Sequence, residues 1–500
     1  MSMGGRALAR AFLLGLLFVV ASAGVASATP APGDLDLSFG EHGYVAGDTF
    51  STYGPTPMAV GPEGETVVLE PHVALGSSEC QAFGACAVDL VLARFNRDGS
   101  RDPAFGAEAK LPVTQNMYQR SDVAVGLDGK PVVATLDKGT IVVARFGRDG
   151  LLDPSFGSGG IVRTPIEEAS GTPPVVSVQD DGRVVVGAEA STAALSGALV
   201  LLRYTASGVL DPSFGDKGQV AVKIGTQSRP AGLLVNPAGG IDIGLSECCK
   251  GDGGSGPGVT FARFLAGGTP DPALAGKGDL FLARGQQTTV QSIAAAPGGK
   301  LYAVVEEEGR GSVVLRLTPG GSLDPAFGKG GEVALGHEIG VTGVVQISAD
   351  SAGRVVGVSG MGAGVSAFRL RTNGVPDRTF GGGRAVPVGL QGNNISSSGF
   401  GLQPNGRIVV LVEYADGHGT KAVQLARLIG GESRSRCLGK RATIVGTREA
   451  EKIVGTPGRD VIAALGGRDT VRGLGGDDLI CGGQGRDKLF GGAGRDLTRQ

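Results

Sequence analysis

One six-residue phrase returns along most of this chain, and it limits the folds open to it more than any other feature. It reads Leu35-Asp36-Leu37-Ser38-Phe39-Gly40, then Arg101-Asp102-Pro103-Ala104-Phe105-Gly106, Leu152-Asp153-Pro154-Ser155-Phe156-Gly157 and Leu210-Asp211-Pro212-Ser213-Phe214-Gly215. Full or degenerate copies follow at Asp271, Asp324 and Asp377, with aspartate spacings of 66, 51, 58, 60, 53 and 53. A unit of that length cannot bury its own apolar face. It must stack against copies of itself, in a line or in a ring.

Each of the seven units has the same internal order. After the Phe-Gly turn comes a short strand such as Gln219 to Val222, then a second such as Val175 to Val178. A tight turn follows at Asp128-Gly129, Asp181-Gly182 or Asn405-Gly406, dipeptides that supply the positive φ of a two-residue hairpin. The third strand is exemplified by Val184 to Val186. The fourth ends in arginine plus a large apolar residue, as in Arg94-Phe95, Arg145-Phe146, Arg203-Tyr204 and Arg427-Leu428. Four strands repeated seven times predict an all-β chain built on a seven-bladed β-propeller. An open β-solenoid is the alternative arrangement.

A second spacing favours the ring. Arg94, Arg145, Arg203, Arg263, Arg316 and Arg369 each precede a turn aspartate by eight residues: Asp102, Asp153, Asp211, Asp271, Asp324 and Asp377. Arg427 has no such aspartate, and Asp36 has no such arginine. The two orphans match if the N-terminal segment completes the last blade. The expectation is an Arg–Asp hydrogen bond bracing each inter-blade turn, including Arg427 with Asp36. Over residues 33–430 the LDxxFGxxG phrase and the arginine-ended strand resemble the delta-60 repeats of bacterial secreted and surface proteins. That resemblance implies a propeller-like scaffold and brings no functional residue with it.

From Gly455 the text changes to GTPGRDVIA, ALGGRDTVR, GLGGDDLIC, GGQGRDKLF and GGAGRDLTR. Asp460, Asp469, Asp478, Asp487 and Asp496 fall in strict nine-residue phase, each with a glycine two residues before it. Ile462, Val471, Ile480 and Leu489 stand two after the first four, and Thr498 takes that place in the last. Such spacing suits a six-residue turn joined to a three-residue strand. Two nonapeptides then complete one coil of a short parallel β-roll, and like turns stack at eighteen-residue intervals. Calcium takes six to eight oxygens at about 2.3–2.6 Å, which stacked carboxylates and carbonyls can offer. The pairs 460/478, 478/496 and 469/487 predict three sites, with Glu451 as support for a fourth. The array resembles the repeats-in-toxin (RTX) family over residues 455–499, a resemblance that also implies calcium. Arginine precedes the aspartate at 459, 468, 486 and 495, and residues 437–500 hold 11 Lys plus Arg against 8 Asp plus Glu. The expected affinity is therefore weak, about 10⁻⁴–10⁻³ M.

The remaining signals bound the setting. Arg6 and Arg10, the apolar run Ala11 to Val20 and the site Ala26-Ser27-Ala28 predict a signal peptide over 1–28. The propeller is expected over 29–430, a linker and degenerate first coil over 431–445, and the roll over 446–500. No later stretch is long and apolar enough to span a membrane. The formal charge of −2 carries no nucleic-acid footprint. Six cysteines allow fifteen pairings. Cys80 and Cys86 are placed to close a small loop, Cys437 and Cys481 to pin the C-terminal region, and Cys248 and Cys249 are adjacent. His42, His72, His337 and His418 lie in different units without metal-ligand spacing, and no nucleophile, zincin or phosphate-loop motif appears. The functional expectation is a secreted or cell-surface calcium-binding scaffold for an extracellular ligand such as a glycan, a peptide or an envelope component. The rival is a propeller enzyme cleaving glycosides or lactones, with no catalytic residue assigned.

Overall fold

The computed structural model describes residues 31–500 apart from 52–55, 74–84, 107–108, 117–120, 167–172, 191–196, 225–228, 248–257, 285–287, 342, 344, 363, 389–394, 416–419, 431–435, 439, 443, 446–451, 457 and 465–466. The expected signal peptide, Cys80, Cys248, Cys249, His418 and Glu451 lie outside the described residues, as does the side chain of Cys86.

Five of the sheets are separate four-stranded antiparallel units, and two more are joined only through Met361↔Ser396 and Gly362↔Ile395. Together they make seven blades. Blade three shows the pattern, with strands Val175–Val178, Val184–Ala190, Ala198–Tyr204 and Gln219–Val222 pairing in order. Its two middle strands are buried throughout, because valine and leucine face neighbouring blades on both sides. The first strands of successive blades touch around the ring, and Met58–Val60 of blade one meets Ile395–Leu402 of blade seven. The ring closes out of sequence order, by hydrogen-bonded strand pairing. Blade seven takes Ile395–Leu402, Ile408–Ala415 and Thr420–Leu428 from the C-terminal side. Its fourth strand is Tyr44–Ser51, antiparallel to Thr420–Leu428. The sequence units are thus offset from the blades by one strand. The strand after each Phe-Gly turn is the outer strand of the preceding blade. One five-residue helix, Leu335–Ile339, interrupts the all-β pattern.

The arginine–aspartate spacing is an inter-blade staple. Arg145 Nε donates to Asp153 Oδ2 at 2.8 Å, and its Nη2 donates to the Ser155 hydroxyl at 3.0 Å. Its Nη1 reaches the Ala206 carbonyl of the next blade at 2.6 Å. The guanidinium lies 4.6 Å from the centroid of the Phe156 ring, and the Gly157 N–H donates to Ser207 O at 2.8 Å. Arginine, aspartate, serine, phenylalanine and glycine therefore act as one device. Arg203 and Arg369 repeat it on Asp211 and Asp377 at 2.9 Å. At the seam, Arg427 Nε donates to Asp36 Oδ2 at 2.9 Å across 391 residues.

Blade four breaks the expectation. Arg263 Nε donates to Asp242 Oδ1 at 2.6 Å rather than bracing Asp271. Asp242 stands directly opposite Arg263 in the sheet, where the other blades carry residues such as Val185 opposite Arg203 and Val409 opposite Arg427. The same unit has Leu274 in place of phenylalanine and Ala275 in place of glycine, at φ 50°. An L-residue pays about 1 kcal/mol in that region. We therefore expect Ala275→Gly to raise stability by about 1 kcal/mol, read as a higher denaturation midpoint. An unchanged or lower midpoint would contradict the strain argument.

A second cation reinforces the staple in several blades. The residue after the tight-turn glycine reaches the same aspartate: Lys130 to Asp153 at 2.7 Å, Arg183 to Asp211 at 3.0 Å and Lys300 to Asp324 at 2.8 Å. Arg407 does so on Asp36. Burial alone would push the Asp211 carboxyl up. The Ser213 hydroxyl and N–H, with Arg203 and Arg183, outweigh it and hold the group below its ordinary value. A depressed carboxyl stabilises the fold above its unfolded pKa, and that contribution is lost as pH falls through the folded value. Stability should hold from neutrality to about pH 4 and then fall, with Asp211→Asn flattening the acid limb in a denaturant series.

Candidate metal centre

Beyond residue 443 the strands turn parallel and pair at the expected interval. Ile444, Ile462 and Ile480 align with Thr498 in one sheet, and Ile453, Val471 and Leu489 in the other. The core of the roll is one file of aliphatic residues, Ile453, Ile462, Ala464, Val471 and Ile480, with Leu489 at its edge. Thr498 is exposed, because a hydroxyl replaces the apolar residue that would extend that file. The bond Cys437–Cys481, with Cα atoms 5.5 Å apart, ties the segment before the roll to its sheet.

Stacking brings the nine-residue aspartates together along two edges. The Asp460 N–H donates to Asp478 Oδ1 at 2.8 Å, and the Asp478 N–H to Asp496 Oδ1 at 3.1 Å. On the other edge the Asp469 N–H donates to Asp487 Oδ1 at 2.9 Å. One carboxylate oxygen of each lower residue thus fixes the stack. Sequence spacing alone did not assign the oxygens this way. The second oxygen is treated differently. Asp478 Oδ2 and Asp487 Oδ2 are buried without a hydrogen-bond donor. A buried carboxylate oxygen left so is costly, and a cation is one partner able to satisfy it. Burial pushes the Asp478 carboxyl up, and Asp460, Asp496 and Asp477 push it the same way. A divalent ion between the turns would reverse that balance. The carboxylates come in pairs. Among the described residues no group of three His, Cys, Asp or Glu side chains is placed to hold a metal, so the rest of a calcium shell must come from main-chain carbonyls.

The glycines make this approach possible. Gly485 has φ 134°, and a Cβ there would sit 1.6 Å from Gly467 O. Gly485→Ala should therefore unstack the coil and lower the melting temperature of the roll. A variant melting like the parent would show that the turns are not packed this closely.

The propeller contributes a carboxyl the sequence did not single out. Asp122, on the innermost strand of blade two, accepts from its neighbour Val123 N–H at 2.9 Å and from Val176 N–H of blade three at 2.8 Å. Burial pushes it up to about 6. With both oxygens engaged by main chain, it serves as a latch between inner strands. Open clefts of about 380 and 530 Å³ are lined in part by Arg203 and Arg427, at the seams between blades three and four and between seven and one, and Lys452 also lines the first.

A closed propeller followed by a parallel roll of stacked aspartate turns defines a class of calcium-binding repeat protein. Residues 445–497 match the RTX calcium-binding nonapeptide repeat. Residues 87–105 and 179–214 match the β-propeller domain of unknown function DUF5122. The chain carries calcium-binding repeats on an all-β fold. No curated protein matches it by sequence. Among solved structures it is similar to puromycin hydrolase at 13% identity and TM-score 0.41, over 88% of this chain and 67% of that one. It is also similar to a mutant of AofleA from Arthrobotrys oligospora at 10% identity and TM-score 0.39, over 72% and 95%. A third is regucalcin from Agrobacterium tumefaciens, at 13% identity and TM-score 0.33, over 61% and 89%. At these values the likenesses carry no argument about activity. Among the described residues no helix is long and apolar enough to cross a membrane.

Proposed function

We propose that this chain is a secreted scaffold, in which calcium organises the C-terminal roll and the propeller presents a surface to an extracellular ligand. Asp460, Asp469, Asp478, Asp487 and Asp496 are the carboxylates in this reading. The observation that carries it is the pair of buried, donor-less oxygens, Asp478 Oδ2 and Asp487 Oδ2, in turns stacked eighteen residues apart. The repeated residues of the propeller support a scaffold, since arginine, aspartate and phenylalanine are occupied in joining blades. The open seam clefts, lined by both cationic and carboxylate side chains, offer a ligand hydrogen-bonding groups of both kinds. The leader over 1–28 completes the reading, and N-terminal sequencing of exported protein should begin at Thr29.

Calorimetric titration of the full chain tests the metal. Saturable binding in the millimolar range is expected, and absence of heat would defeat the reading. At about 10 mM calcium each occupied site should stabilise the roll by about 1.4–2.7 kcal/mol. Asp478→Asn should abolish the positions shared with Asp460 and with Asp496, since one carboxylate serves both. A glycan and peptide screen on the whole protein, with and without calcium, tests the ligand.

A further inference from the structure

Two seams of the propeller carry a glutamine in the same place and use it differently. Gln179 of blade three and Gln403 of blade seven each open the tight turn, with their N–H groups donating to Arg183 O and Arg407 O at 2.8 Å. Gln403 spends its amide on the seam. Its Nε2 donates to Gly64 O at 2.7 Å and to Arg97 O at 3.2 Å, both in blade one, and its Oε1 accepts from Arg427 Nη1 at 3.4 Å. Gln179 lies against the matching glycine of blade four, since a Cβ on Gly239 would meet its Nε2 at 3.3 Å. Yet Gln179, only 9% exposed, keeps its Oε1 buried without a hydrogen-bond donor. This side chain lines the cleft between blades three and four.

The charges around that cleft are also incompletely answered. Arg203 meets Asp211 at 2.9 Å, and Arg183 meets Asp211 at 3.0 Å and Asp181 at 2.5 Å. Left over are the Asp180 carboxylate and the Lys452 ammonium, which form no salt bridge among the described residues. Lys452 comes from the roll. It opens the strand Lys452–Val454, and the next residue, Ile453, sits in the aliphatic file. The order of the roll therefore sets where this ammonium stands.

We infer that this cleft, completed by Lys452, binds a small zwitterion with its ammonium and carboxylate on one short backbone, as in a free amino acid or a short peptide. This rests on the scaffold reading above and names its ligand class. The ligand ammonium donates to Asp180 and to Gln179 Oε1, and the ligand carboxylate accepts from Lys452. The terminal torsion of glutamine is broad, so the amide can turn its oxygen toward the ammonium. Each pairing joins an ion to a group the fold leaves unanswered, and charge-assisted hydrogen bonds are the stronger kind. A neutral sugar would leave both protein charges without a counterion, and an ion of one sign would satisfy only one of them. A volume of about 380 Å³ admits a ligand of this size. Because the roll positions Lys452, calcium should tighten the binding about fivefold or more.

The test is calorimetric titration of the full chain with glycine, diglycine and triglycine. The controls are glycinamide, which lacks the carboxylate, N-acetylglycine, which lacks the ammonium, and glucose. At least one of the three zwitterions should bind, with every control about tenfold or more weaker. Gln179→Leu and Lys452→Ala should each cost about tenfold or more in affinity at an unchanged melting temperature, since the fold does not use either polar end. Gln403→Leu should do the reverse, lowering the melting temperature and leaving the binding in place. Controls that bind as tightly as the zwitterions, or binding that survives both cleft variants, overturn the inference. No calcium effect in a parent that takes up calcium, or an equal one in Lys452→Ala, overturns the part given to the roll. No binding by any probe in a chain that takes up calcium overturns the inference and leaves the calcium reading intact. Zwitterion binding through Gln179 and Lys452 in a chain that takes up no calcium upholds the cleft and defeats the calcium reading alone.

Discussion

Replacing Arg427 by alanine should lower the unfolding free energy by about 1.5–3 kcal/mol, the range for losing hydrogen bonds to a charged group when the carboxylate keeps a second cation. Arg427 and Asp36 are both 4% exposed. The substitution removes the bond to Asp36 Oδ2 at 2.9 Å, a bond to the Ser38 hydroxyl at 3.1 Å, the bond to Arg97 O in blade one, and a guanidinium 4.6 Å from the centroid of Phe39. Arg407 remains against Asp36 and keeps that carboxylate from being left without a cation. The position matters as much as the pair. Tyr44–Ser51 has Thr420–Leu428 as its sheet partner, so this staple holds the ring shut. Hydrogen exchange should quicken first over 44–51 in Arg427→Ala. In Arg203→Ala, where the chain is continuous across the joint, it should quicken around the blade three–four seam instead. If 44–51 keeps its protection in Arg427→Ala, the staple does not hold the closure.

Reducing the Cys437–Cys481 bond should destabilise the roll by about 4 kcal/mol on chain entropy, since the bridge spans a sequence separation of 44. The roll has little else to rely on. Its apolar file is short, and Phe490 and Leu497 near its end are more than half exposed. The expected result is an early, calcium-sensitive melting step that appears with reductant while the propeller transition stays in place. Cys481→Ser should behave like the reduced protein. A single unshifted transition in both would mean that the bridge does not constrain the unfolded roll. Because calcium binds the folded roll, millimolar calcium should offset part of the loss by mass action.

These results separate what was legible in the residues from what was not. The eight-residue arginine–aspartate spacing was legible because both residues lie on one strand and the turn that follows it. The matching orphans Arg427 and Asp36 went further and predicted a closure across 391 residues. The eighteen-residue pairing in the roll was likewise implied by the nine-residue period and the file Ile462, Val471, Ile480 and Leu489. A basic residue after the turn glycine, as at Lys130, Arg183 and Arg407, was visible in the sequence, yet its partner lies on another strand.

What the sequence by itself determined is periodic: strand length, turn chemistry, the number of units and the phase of the aspartates. Backbone geometry sets these within a few residues, so a linear reading recovers them. The tertiary structure alone decided everything that depends on where ring curvature and coil stacking carry distant groups. It put the blade boundary one strand away from the repeat boundary. It set Asp242 opposite Arg263 and so released Asp271 from the staple. It chose one cysteine pair among fifteen, and it left one buried oxygen on Asp478 and on Asp487 without a donor.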